Sequence, residues 1–91
     1  MRLTRVTIAP SCSTAAAIAT ALLVDAIWAG IDAADRVEHI TALPAPGRIE
    51  IGVFSLQADD ATASATAREV VERALHRSPP LRQWSISDPD R

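Results

Sequence analysis

A chain of 91 residues, 48% of them hydrophobic and 22% charged, is long enough for one two-layer core, too short for a second, and too apolar to stay disordered. Its formal charge of −2 and isoelectric point near 5.5 argue against nucleic acid or an anionic membrane as a partner, since either favours a basic patch. One cysteine excludes an internal disulfide.

In chain order, Leu3–Ala9 alternates polar and β-branched residues, the pattern of a strand with Val6 and Ile8 on one face, and Pro10 closes it. Ser11 and Ser13 carry hydroxyls suited to cap a helix, and the spacing predicts one from Ser13 to Ala29 with Gly30 as its stop. On a helical wheel Leu23, Val24, Ile27, Trp28 and Ile31 share one broad face, while Ile18 and Leu22 lie on the opposite flank. A helix apolar over so much of its circumference asks for more than one packing partner.

Residues 32–36 read as a turn. A second strand over 37–43 places His39 in phase with Val37, Thr41 and Leu43, and a third over 48–56 places Ile49, Ile51 and Val53 opposite Glu50, Gly52 and Phe54. The intervening "PAPG" joins them as a hairpin, because proline fixes φ and Gly47 accepts φ > 0. From 59 to 78 the apolar positions Ala63, Ala67, Val70, Val71 and Ala74 trace an amphipathic helix. Asp59 or Asp60 caps it, Arg68–Glu72 and Glu69–Arg73 pair on its wet side, and Pro79-Pro80 stops it. A last strand over 81–87 puts Trp84 and Ile86 on one face, and 88–91 is a frayed tail.

The order strand–helix–strand–strand–helix–strand predicts a single α+β domain over residues 1–91. Its expected form is a ferredoxin-like βαββαβ plait: a four-stranded antiparallel sheet in the order 4-1-3-2 with two helices on one face. That topology hosts many unrelated functions, so function has to be read from particular residues.

Cys12 ahead of the first helix is a candidate reactive thiol, because the positive end of a helix dipole favours thiolate. The residue three after it is Ala15, so there is no Cys-x-x-Cys pair, and no His–Cys–carboxylate spacing of a metal site occurs. No metal and no cofactor is therefore expected, and a thiol switch through Cys12 is the third functional reading. Arg5, His39 and Glu50, joined by Gln83, form a candidate ligand-binding or catalytic cluster if they share the sheet's uncovered side; a small molecule is its natural occupant. His76, at the end of the second helix, belongs to a different surface.

Leu3, Leu43, Phe54 and Leu56 are expected on the sheet's uncovered face beside Arg5 and Glu50; with the second apolar flank of the first helix, this makes Leu22, Leu43, Phe54 and Leu56 candidate interface positions. No acid–base pair or nucleophile constellation accompanies them. The preferred expectation is thus a non-catalytic interaction or regulatory accessory module that self-associates, as a homodimer, or binds a partner protein through its sheet face or a strand edge. The alternative is a small sensor or enzyme built on the Arg5, His39 and Glu50 cluster.

The segment Met1–Arg5 and the apolar residues after it imitate a secretory leader. Pro10, Ser11, Ser13, Thr14 and Asp25 interrupt that pattern, and Ala15–Val24 is too short to span a bilayer. A cytoplasmic location, without a membrane, is expected. All nine basic residues are arginine, and lysine, asparagine and tyrosine are absent, a bias expected of a high-GC bacterium.

Overall fold

A computed structural model of the chain describes residues 1–12 and 17–87. The strands are β1 (Arg2–Pro10), β2 (Val37–Ala45), β3 (Arg48–Ser55) and β4 (Trp84–Ser87); the helices are α1 (Thr20–Ala29) and α2 (Asp60–Arg77). They form one antiparallel sheet in the order β2-β3-β1-β4, the expected plait order written from its other edge. Both helices contribute to a single core on one side of the sheet.

That core follows from alternation. Val6 and Ile8 of β1 and Ile49, Ile51 and Val53 of β3 are buried on the covered face. They meet Leu23 and Ile27 of α1 and Val70, Val71, Ala74 and Leu75 of α2. The alanines of α2 let its backbone approach the sheet closely, while its branched residues fill the space between. Trp84 and Ile86 share the covered face, half-buried against the same core.

Helix α2 lies where its signals predict. The Asp59 carboxylate accepts a 2.7 Å bond from the Thr62 N–H, satisfying one of the amides that a helix start leaves unpaired. Glu69–Arg73 forms at 3.0 Å; the expected Arg68–Glu72 pair is not among the ion pairs of the described residues.

Helix α1 differs from expectation. It begins at Thr20 rather than Ser13, Ala17–Ala19 are not helical, and Ala19 stands at its start with extended backbone (φ −70°, ψ 130°) and no side-chain cap. Ser13 lies outside the described residues. Alanines favour a helix but bring almost no apolar area to the core, and helices in proteins are held mainly by packing. The first side chain of α1 to be fully buried is Leu23, so regular helix starts within one turn of it.

Two further boundaries move. β2 carries a bulge between Val37 and His39, where two residue steps oppose one step of β3 from Ser55 to Phe54. Val37 therefore faces the core while His39, Thr41 and Leu43 face the other way, so the single phase predicted for all four is broken. The last strand starts at Trp84, because Pro79–Leu81 form a 3-10 turn that drives Leu81 fully into the core. The predicted tail, 88–91, lies outside the described residues.

Residues 32–36 are an ordered turn. Asp32 accepts from the Ala34 N–H at 2.8 Å, Asp35 accepts from the Asp32 N–H at 3.0 Å, and Arg36 takes left-handed backbone at φ 56°. Among the described residues, no helix is long and apolar enough to cross a membrane.

Candidate functional site

The face of the sheet turned away from the helices is laid out by strand register. His39, Phe54 and Leu3 stand in one row across β2, β3 and β1; Thr41, Gly52 and Arg5 stand in the next; Leu43, Glu50 and Thr7 stand in the third. Leu3 is 47% and Leu43 67% exposed, whereas Phe54 is half-buried with its ring 5.6 Å from that of His39.

At the centre of this grid is Gly52. A Cβ built there would lie 2.6 Å from the Thr41 Oγ1 and 3.3 Å from the Leu3 Cδ1, so no other residue fits without displacing a neighbour. The missing side chain leaves a shallow hollow of about 240 Å³, bordered by Leu3, Arg5, Thr41, Leu43, Glu50 and Phe54. The sequence carried one hint of it, a glycine inside a strand, which marks a bulge or a close approach. The hint stayed unread because Gly52 also fits a plain alternation.

The structure brings Arg5, His39 and Glu50 onto this one face, as the cluster requires. His39 sits beside Phe54 and outside the rim of the hollow. Gln83 does not join them: it lies in the turn before β4, where its carbonyl accepts from both the N–H and the hydroxyl of Ser11 at 2.8 Å. Among the described residues, neither Arg5 nor Glu50 forms an ion pair, although they are diagonal neighbours on adjacent strands. The face thus presents a guanidinium and a carboxylate that are unmatched among the described residues.

The four interface candidates separate. Leu43 and Phe54 belong to the open face, and Leu56 is exposed one residue beyond β3, its N–H donating to the Arg36 carbonyl at 2.9 Å. Leu22 is on the helical layer instead, 48% exposed, beside a groove of about 380 Å³ that it shares with Ile18, Pro79 and Pro80. Trp28, on the broad apolar face of α1, is 39% exposed.

Cys12 is exposed, and it precedes the first residue of α1 by several residues of which Ala17–Ala19 are not helical. The capping residue expected beside it, Ser13, lies outside the described residues. His76 borders a separate groove of about 460 Å³ with Ser11, Arg82 and Trp84. Among the described residues, no three His, Cys, Asp or Glu side chains are grouped to hold a metal ion.

The strongest polar constellation lies on the helical side. The Arg73 guanidinium donates to the Gly30 carbonyl at 2.6 Å, to Asp35 at 3.1 Å and to Glu69 at 3.0 Å. One cation thus meets the carbonyl end of α1, the negative pole of its dipole, and ties it to the turn at Asp35. Burial alone would raise the Asp35 carboxyl, but the Arg73 hydrogen bond, the Asp32 N–H and the Arg73 charge outweigh it and hold that group below the ordinary carboxylate range. The Thr62 backbone N–H does the same for Asp59, and Arg73 is pushed further up by its two carboxylates. The sequence showed Arg73 only as a partner of Glu69, because its reach to Gly30 and Asp35 depends on helix packing.

No family model matches this sequence, and no curated protein and no solved structure shows a significant match to it.

Proposed function

We propose that this chain is a small, non-catalytic module that self-associates through the open face of its sheet. The observation that carries the reading is the face itself: Leu3, Leu43 and Phe54 stand on it uncovered by either helix, beside Arg5 and Glu50, which have no ion-pair partner among the described residues. Exposed apolar residues grouped with unmatched charges mark a surface made for contact, whereas a merely solvated face carries scattered polar residues.

Light scattering over a concentration series, with and without reductant, tests it. A dimer insensitive to reductant that is lost in Leu43→Asp supports the reading. A monomer at every concentration, or a dimer that Leu43→Asp leaves intact, overturns it.

A second reading has one observation of its own, the hollow over Gly52 with Arg5 and Glu50 on its rim. It makes the face a site for a small ligand, with His39 at its margin. At about 240 Å³ the hollow falls below the usual size of a ligand pocket, roughly 300–1,000 Å³, which places this reading second. Substituting His39→Ala with the fold intact weakens ligand binding on this reading, through the ring it packs against at the hollow's border, and leaves self-association unchanged on the first.

A further inference from the structure

We infer that the occupant of the open face is a second copy of this chain, related by a two-fold axis that sets Arg5 of each copy against Glu50 of the other. The inference rests on the sheet-face association proposed above and specifies its geometry.

The argument begins with symmetry. In a two-fold interface, if residue i meets residue j of the partner, then j meets i, so a face carrying one unmatched cation and one unmatched anion complements itself. Arg5 and Glu50 are such a pair. They lie on neighbouring strands, with Arg5 opposite Gly52 and Glu50 opposite Thr7, and neither is ion-paired within the described residues.

The register then fixes where everything else falls. Strands lie about 4.8 Å apart and alternate residues about 6.8 Å apart along a strand, which gives the face a simple grid. On that grid, an in-plane two-fold that superposes Arg5 on the second copy's Glu50 runs diagonally across the face and passes within about 1.5 Å of Thr41, Gly52 and Thr7. Those are the positions that must meet their own copies, and they are two threonines and the glycine under the hollow. Two sheets therefore approach closest where side chains are smallest. The same rotation carries the second copy's Leu43 over the gap between Leu3 and Phe54, so the most exposed leucine of the face packs against its other two apolar residues. One operation, chosen only to match charge, also matches apolar with apolar and small with small. The strands of the two sheets then cross at about 70°, nearer the orthogonal than the aligned mode of sheet packing. His39 falls beyond the edge of the partner sheet, at the rim.

The test is a charge exchange between copies. Arg5→Glu and Glu50→Arg are prepared separately, their folding is checked by circular dichroism, and each is weighed by light scattering alone and in equimolar mixture. Each variant alone sets like charges together at both contacts and weakens its dimer by at least about tenfold, whereas the mixture forms a heterodimer in which both contacts are again Arg–Glu. The double variant R5E/E50R restores the homodimer for the same reason, and it decides the matter if either single variant folds poorly. A wild-type dimer that is lost in Leu43→Asp, yet is indifferent to both reversals or not recovered in the mixture and in the double variant, overturns this two-fold while leaving the sheet-face reading standing. A wild-type monomer overturns both.

Discussion

The two faces of β3 carry opposite instructions within eight residues. Ile49, Ile51 and Val53 point into the core and are almost wholly buried, while Glu50, Gly52 and Phe54 point away from it. On the covered side shape is matched throughout by α1 and α2; on the open side a glycine sits between a half-buried ring and a carboxylate. The contrast teaches that stability and association are assigned to different sides of one strand. Residues that alternate along the chain are exposed to separate physical demands.

The largest effect that breaks this division is Ile51→Ala. Emptying a fully buried position of the core lowers unfolding free energy by about 3–4 kcal/mol, measured by urea denaturation. Leu43→Asp on the other side changes stability by less than about 0.5 kcal/mol, so one side answers in folding and the other in mass.

Gly52→Ala comes next. The new methyl meets the Thr41 Oγ1, and the strain costs about 1–2 kcal/mol; adding Thr41→Ala to the same chain recovers most of it, a coupling that a double-mutant cycle reads directly. Independent losses would show that the two residues do not meet.

On the covered side, Asp35→Asn lowers stability by about 1 kcal/mol near neutral pH by weakening the bond from Arg73. The folded Asp35 carboxyl titrates below its unfolded value, so its contribution is complete above about pH 4 and disappears as the pH falls through the lowered folded value. Thermal melts of wild type and variant therefore differ at pH 7 and converge in acid. Asp59, also lowered, adds to the acid loss in both proteins.

The smallest effect has the opposite sign. The Ser55 hydroxyl is buried at the end of β3 without a hydrogen-bond partner, alone in this among the described residues. Ser55→Ala removes an unsatisfied group and raises stability by about 0.5–1 kcal/mol in the same denaturation assay.

How much of this was legible in the residues depends on how local the cause is. Helix α2 was readable because its capping aspartate, apolar stripe and closing prolines act within a few residues of one another. The sheet order was readable from the succession of elements, since short connections and right-handed crossovers leave few topologies. The start of α1 was not, because a run of alanines is compatible with helix and the core decides whether it becomes one. The orientation of Val37 against His39 was hidden by a bulge, an insertion in pairing that leaves no periodic trace. Of the candidate site, Arg5, His39 and Glu50 were found by alternation, and Leu43 and Phe54 as leftover apolar residues. Gln83 was misplaced because the strand it was assigned to begins at Trp84, one residue beyond it, rather than at residue 81.

By itself, then, the sequence determined the kinds and order of the elements, the sides of β1 and β3 that are apolar, and the mixed character of the side opposite the core. Each of these is set by period-two or period-3.6 patterning, which a chain expresses wherever it folds. Only the tertiary structure decided that the Gly52 position is a hollow, that Leu22 stands apart from Leu43 and Phe54, and that Arg73 clamps Gly30 to Asp35. Those depend on distances between residues far apart in the chain, which pairing register and helix packing create and no local pattern encodes.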